Sequence, residues 1–184
     1  MYSGLRIADS GLNKNLKYEI KIFGEEKMVE TDWLRKTELF GTLSESQLNI
    51  LLSHSSVESF PEGNTIFRQG DEANHLYVLI EGMVALSVKT GEKFDFLTSK
   101  VENEGAAFGI PSLIEPFRYN MTATCSKPSK VLVINAGLFK MDMEKDPKMG
   151  MEIMKKLASI YFHRLSEMRS GVSNFLRASK FKTS

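Results

Sequence analysis

The spacing of apolar positions changes character along the chain, and each change marks a boundary. From Thr31, apolar side chains return at helical intervals through Trp33, Leu34, Leu39 and Phe40. Thr31 is placed to cap that helix, with Glu30 and Asp32 at the positive end of its dipole. A second helix is predicted after Ser44, whose pairing with Gln47 three residues on has the form of a capping box ahead of Leu48, Ile50, Leu51 and Leu52. Short runs of alternating residues follow and predict strands over Val57 to Phe60, Thr65 to Phe67, His75 to Ile80, Met83 to Val88, Lys93 to Thr98, Tyr119 to Thr124 and Val131 to Ile134. Glu81-Gly82 and Thr90-Gly91 read as hairpin turns, because glycine supplies the positive φ such turns need. Short strands separated by turn residues predict a mainly β fold with flanking helices, an antiparallel jelly-roll barrel. Its wall is assigned to Val78, Ile80, Val84, Leu86 and Leu97.

After Asp146-Pro147 the period returns to that of a helix, and it persists nearly to the end of the chain. Met154, Ala158, Tyr161, Leu165, Met168, Val172 and Phe175 recur at alternating steps of four and three, the spacing of a coiled-coil seam. A second stripe, Ile153, Leu157 and Ile160, is free to pack on the chain's own sheet. A lone helix of this length needs a partner to cover its seam, so a homodimer is expected. Gly171 weakens the helix by roughly 1 kcal/mol relative to alanine, which predicts fraying or bending there. The chain thus divides into an N-terminal extension (1–30), a β domain with its leading helices (31–146) and a long helix with a short basic tail (147–184). In the extension only Glu19 to Phe23 alternates, as an edge strand or as part of a flexible arm.

Between Gly105 and Cys125 lies the stretch with the most chemistry. Gly109 can take a backbone conformation closed to other residues, and Pro111 suits the first position of a helix. A turn that begins behind a glycine leaves N–H groups free to meet an anion. Phe108, Gly109, Ile110, Pro111, Ser112, Leu113, Arg118, Tyr119 and Asn120 are the candidate ligand residues of this cassette.

Composition narrows the function. The 184 residues carry 24 basic and 23 acidic side chains, a net charge of +1, which gives no global footprint for nucleic acid or an anionic membrane. The apolar content of 42% supports one compact domain with extensions. No run is apolar enough to span a bilayer, and the first residues lack the form of a signal peptide, so a soluble cytoplasmic protein is expected. Cys125, the single cysteine, reads as a buried strand residue. His54, His75 and His163 lack the close strand spacing of a metal site, and no nucleophile elbow or phosphate loop is present, so metal and nucleophilic catalysis are not expected.

Leu39-Phe40, Leu43 to Leu48, Phe60-Pro61-Glu62-Gly63-Asn64-Thr65-Ile66-Phe67-Arg68-Gln69-Gly70-Asp71, Leu76 to Gly82 and Phe108-Gly109 together resemble the running signature of the cyclic nucleotide-binding domain, over roughly Trp33 to Leu165. That family includes the bacterial catabolite-activator regulators and the regulatory subunits of cyclic-nucleotide-dependent kinases. The resemblance implies a jelly roll, a dimer made by the long helix, and a helix side chain over the ligand, for which Arg164 and His163 lie in the right region. It also implies a Glu after the Phe-Gly pair to take the ribose hydroxyl and an Arg about ten residues on to hold the phosphate. Ile110 and Tyr119 stand at those positions here. Ile110 accepts no hydrogen bond, and Tyr119 lacks the charge and planar fork of Arg. Arg118 serves only if the loop shifts register by one, and otherwise faces solvent.

The regulators of this family continue into a helix-turn-helix domain. Only nine residues follow Phe175, with Arg177, Lys180 and Lys182 among them, so direct DNA binding is not expected. Two readings stand. One is a non-enzymatic sensor without a resident cofactor, which binds a small anion under the cassette, cyclic AMP and cyclic GMP among the candidates. The other is a scaffold without a ligand, whose long helix, with the N-terminal arm, serves as an interaction surface for a second copy or for a further protein partner.

Overall fold

The computed structural model describes the backbone of residues 29–89 and 95–180, with side chains described within 29–89, 99–166 and 169–170. The Glu19 to Phe23 alternation, the Thr90-Gly91 turn and the side chains of Leu97, Met168, Val172 and Phe175 lie outside these residues.

The first helix, α1 (Thr31–Leu34), is shorter than its apolar pattern predicts, and Glu30 rather than Thr31 stands at its N-cap, with no side-chain capping bond. Thr37 ends it. The Thr37 hydroxyl donates to the Leu34 carbonyl at 2.7 Å and accepts from the Phe40 N–H at 3.3 Å, satisfying the backbone without a further helical turn. Leu34, Leu39 and Phe40 are nevertheless fully buried, so the apolar pattern marks the core correctly even where the helix stops.

The capping box forms as expected at the start of α2 (Glu45–Ser53), with Ser44 Oγ accepting from the Gln47 N–H and Gln47 accepting from the Ser44 N–H. The same Gln47 amide donates to Asp146 Oδ2 at 2.6 Å. Asp146 in turn accepts from the Met149 N–H, capping the last helix, and these bonds, Gln47's first, hold its carboxyl below the usual carboxylate range. One residue thus ties two helix starts together.

Six strands follow: β1 (Ser55–Phe60), β2 (Thr65–Phe67), β3 (His75–Lys89), β4 (Asp95–Val101), β5 (Ala107–Phe108) and β6 (Thr122–Asn135). They form one antiparallel sheet in the order β1-β6-β3-β4, with β2 also on β6 and β5 also on β3. Among the described residues β1 and β4 remain edges, so the sheet is not a closed barrel.

Gly82 is not a hairpin turn. His75 to Ile80 and Met83 to Val88 belong to a single strand, β3, and the late part of the predicted Tyr119 to Thr124 strand joins Val131 to Ile134 in β6. Glu81 pairs with Lys130 and Met83 with Lys127, so one residue, Gly82, faces two, Pro128 and Ser129. This is a bulge. Pro128 has no N–H for the ladder, and Ser129 Oγ replaces the lost contacts by accepting from the Met83 N–H at 3.1 Å and donating to the Lys127 carbonyl at 2.8 Å.

Alternation along β3 then feeds two cores. Leu76, Val78 and Ile80 pack with Leu34, Phe40, Leu48, Phe139 and Leu157 in a core between sheet and helices. Tyr77, Leu79, Val84 and Leu86 pack with Phe67, Phe108, Tyr119 and Val131 in a second core among the strands. Val78 and Ile80 therefore face the helices, because Tyr77 and Leu79 take the opposite face of the same strand.

Behind the sheet, α3 (Ala136–Lys145) is capped by Asn135, which accepts from the Leu138 N–H. The last helix, α4 (Pro147–Lys180), runs through Gly171 without interruption. Its Ile153, Leu157 and Ile160 are buried in the helix-side core, as the second stripe predicts. Met154, Ala158, Tyr161 and Leu165 are exposed on the single chain. Among the described residues no helix is long and apolar enough to cross a membrane, and no group of three or more His, Cys, Asp or Glu could hold a metal ion.

Candidate functional site: a cavity between the cassette and the long helix

The cassette takes the predicted local form. β5 pairs with Tyr77 and Val78 of β3 and delivers the chain to Gly109, whose φ of 72° lies in the left-handed region. Ile110–Leu113 then makes one 3-10 turn with Pro111 near its start. Glycine is required at 109 on two counts, since a Cβ there would also sit 2.8 Å from the Tyr77 ring.

A cavity of about 100 Å³ lies under this turn. Phe108, Gly109, Ile110, Pro111, Tyr119 and Asn120 line it from the cassette, Phe67, Leu86, Ser99 and Met121 from the sheet, and Tyr161 and Arg164 from α4. Three predicted residues are not part of this lining. Ser112 and Leu113 are buried away from it, Leu113 in the helix-side core, and the Ser112 hydroxyl has no hydrogen-bond partner. Arg118 is exposed, sits in an isolated bridge with Glu72, and donates to the Gly70 carbonyl at 2.9 Å.

Tyr119 takes the interior place that Arg118 leaves. Its ring stacks on Phe67 at 3.8 Å between centroids, and Tyr77 stacks on both Phe67 and Phe108. The Tyr119 hydroxyl donates to the His75 carbonyl at 2.8 Å and accepts from the His75 N–H at 3.2 Å. Burial pushes the hydroxyl pKa of Tyr77 and of Tyr119 above the usual tyrosine value. Both are neutral at ordinary pH. The interior wall is therefore aromatic and uncharged.

The cation of this cavity comes from the helix. Arg164 Nη2 donates to the Ala107 carbonyl at 2.9 Å, so the guanidinium spans from α4 to the strand that leads into the cassette. His163, its neighbour, lines instead a larger polar hollow of about 460 Å³ beside Lys36, Glu38 and Lys100. Leu86, Ser99 and Arg164 line both spaces, which places Arg164 between them. Tyr161 and Arg164 stand three residues apart on one helix face.

An antiparallel sheet over an aromatic interior, with a left-handed glycine ahead of a short turn and a flanking long helix, is a β-roll architecture. A family model described as the cyclic nucleotide-binding domain matches residues 57–146. The crystal structure of a Geobacter metallireducens protein described as cyclic nucleotide-binding is 31% identical, with a TM-score of 0.67, and the match covers 75% of this chain and 99% of that one. Among curated proteins, the cAMP-activated global transcriptional regulator of Pasteurella multocida is 27% identical over 69% of this chain, which spans 59% of the regulator's length. A cGMP-dependent protein kinase of Eimeria tenella is 27% identical over 58% of this chain, a match that covers 10% of the kinase. The chain belongs to the cyclic nucleotide-binding domain family.

Proposed function

We infer that this chain is a non-enzymatic regulatory sensor in which a small anion bound under the cassette changes the set of α4. The supporting observation is the Arg164 to Ala107 hydrogen bond, because it joins the cation of the cavity directly to the strand entering the cassette. A ligand that takes N–H groups of Arg164 competes with or reinforces that bond, and a differential contact of this kind is what lets a ligand shift a conformational equilibrium. The output runs through the outer face of α4, where Met154, Tyr161 and Leu165 are each 40% exposed beside Met151 and Phe162. A second copy of the chain covers that stripe as a homodimer, with α4 as the dimerisation helix.

Within this reading the anion contact belongs to Arg164 and not to Arg118. A ligand anion held through Arg164 competes for the N–H group that bonds Ala107, and the Tyr119 hydroxyl beside the cavity is already engaged by His75 on both sides. The same aromatic filling supports a second reading, a ligand-free scaffold that keeps the fold for its interaction surface.

Hydrogen exchange separates the two. In the sensor reading Arg164→Ala speeds amide exchange about fivefold in both 105–114 and 157–165, the loss of one net hydrogen bond, while Arg118→Ala leaves both segments as they were. Unchanged exchange in 105–114 for Arg164→Ala removes the coupling and leaves the scaffold.

A further inference from the structure

Charge is distributed unevenly along this chain. From residue 147 onward it carries eight Lys and Arg against two acids, Glu152 and Glu167, whereas residues 1–146 carry sixteen basic against twenty-one acidic side chains. The near-neutral total therefore combines an acidic body with a strongly basic helix. Asymmetry of that kind points to an anionic partner for the basic segment.

On α4 the cations are ordered. Lys148, Lys155, Phe162 and Arg169 recur every seventh residue, a step that drifts only about 20° around a helix, and all four are exposed. Phe162 is 72% exposed, more than any other large apolar side chain among the described residues. No acid stands in this column. Lys155 pairs with Glu152 at 3.1 Å, an exposed contact of the kind that contributes little and leaves the ammonium open to other anions. Lys155 lies two residues before Leu157, and Phe162 two after Ile160, about 200° around the helix in each case. The column thus points away from the core that Leu157 and Ile160 fill. About 10 Å of helix separates it from the acidic body, close to one screening length.

The residues of the column decide between anions. Duplex nucleic acid leaves Phe162 in water, and a single strand needs a groove with successive rings. An acidic protein groove takes a helix by apolar anchors at i, i+3, i+4 and i+7, whereas here one ring stands between cations. A lipid surface asks for no matching pocket, since its phosphates meet the cations and its acyl boundary takes the ring.

We propose that this outer column of α4 lies on an anionic lipid surface, with Lys148, Lys155 and Arg169 on headgroup phosphates and Phe162 inserted beneath them. One ring and several cations give reversible binding rather than a permanent anchor.

Sedimentation of the full chain with lipid vesicles is the test. The chain binds vesicles of phosphatidylcholine and phosphatidylglycerol at least about tenfold more tightly than vesicles of phosphatidylcholine alone, and added salt weakens the binding. Lys155→Ala combined with Arg169→Ala binds about thirtyfold more weakly, and Phe162→Ala about tenfold. All three side chains are exposed, so the variants keep the melting temperature of the wild type. No binding to the anionic vesicles, equal binding to both kinds, or variants that bind like wild type overturns the proposal. A chain that ignores vesicles and binds polyglutamate or an oligonucleotide overturns it too, and names the other class of anion. The proposal does not depend on a ligand under the cassette. Vesicle binding that Arg164→Ala leaves unchanged supports it even where unchanged exchange in 105–114 removes the sensor reading.

Discussion

Gly82→Ala lowers the stability of the folded chain by about 3 kcal/mol or more, a loss read directly as a shift in the urea midpoint at unchanged slope. The added Cβ would lie 2.4 Å from both the Pro128 carbonyl oxygen and Ser129 Oγ, and 2.6 Å from Ser129 Cα. Two of these three atoms are backbone and cannot step aside without breaking the bulge that bends β3 and β6. Overpacking of this kind costs about 1–3 kcal/mol. The φ of 103° adds about 1–2 kcal/mol for any residue with a side chain. Gly63 is the control, with a φ of 81° and nothing within 4 Å of the place a methyl group would take. Gly63→Ala therefore loses only the backbone contribution, about 1 kcal/mol. Equal losses at the two glycines would mean that the close approach at Gly82 does not hold the bend.

Leu165→Asp raises the dissociation constant of the proposed homodimer about 30-fold or more, the cost of a buried interface residue at hot-spot strength, as measured by sedimentation over a concentration series. The leucine is 40% exposed on the single chain, so the substitution buries no charge within one subunit and leaves its melting temperature nearly unchanged. In the homodimer proposed above it places a carboxylate in the apolar stripe beside Tyr161, where burying an unpaired charge is costly. A dimer that persists at wild-type concentration would move the interface to another face, and a monomer that unfolds would make Leu165 part of the fold.

Local rules in the sequence hold where the structure obeys them locally. The Ser44 and Gln47 box, the Gly109 to Pro111 turn and the buried stripe Ile153, Leu157 and Ile160 each depend on residues within a few positions of one another. Features set by distant partners are not legible in the same way. A glycine after Glu81 signals a positive φ, and that conformation serves a hairpin or a bulge alike. Pro128 makes the choice, since it has no N–H for the ladder and so sits in a bulge of its own strand, opposite Gly82. Thr31 has the form of a cap, yet Thr37 decides where α1 stops. At the site, the orientation of Arg118 and Tyr119 follows from the bridge to Glu72, which turns the arginine outward and the tyrosine in. Arg164 is a candidate from its place on the helix alone, but its partner, Ala107, lies 57 residues earlier, and no periodicity along the chain points to that contact.

In the proposed sensor the anion contact lies on the long helix, at Arg164, and not on the strand after the cassette. Calorimetric titration with cyclic AMP, on wild type and on Arg118→Ala, tests it most directly. The wild type is expected to bind no tighter than about millimolar, and Arg118→Ala to give the same result. A micromolar dissociation constant that Arg118→Ala abolishes would contradict it, and would return the phosphate contact to the strand.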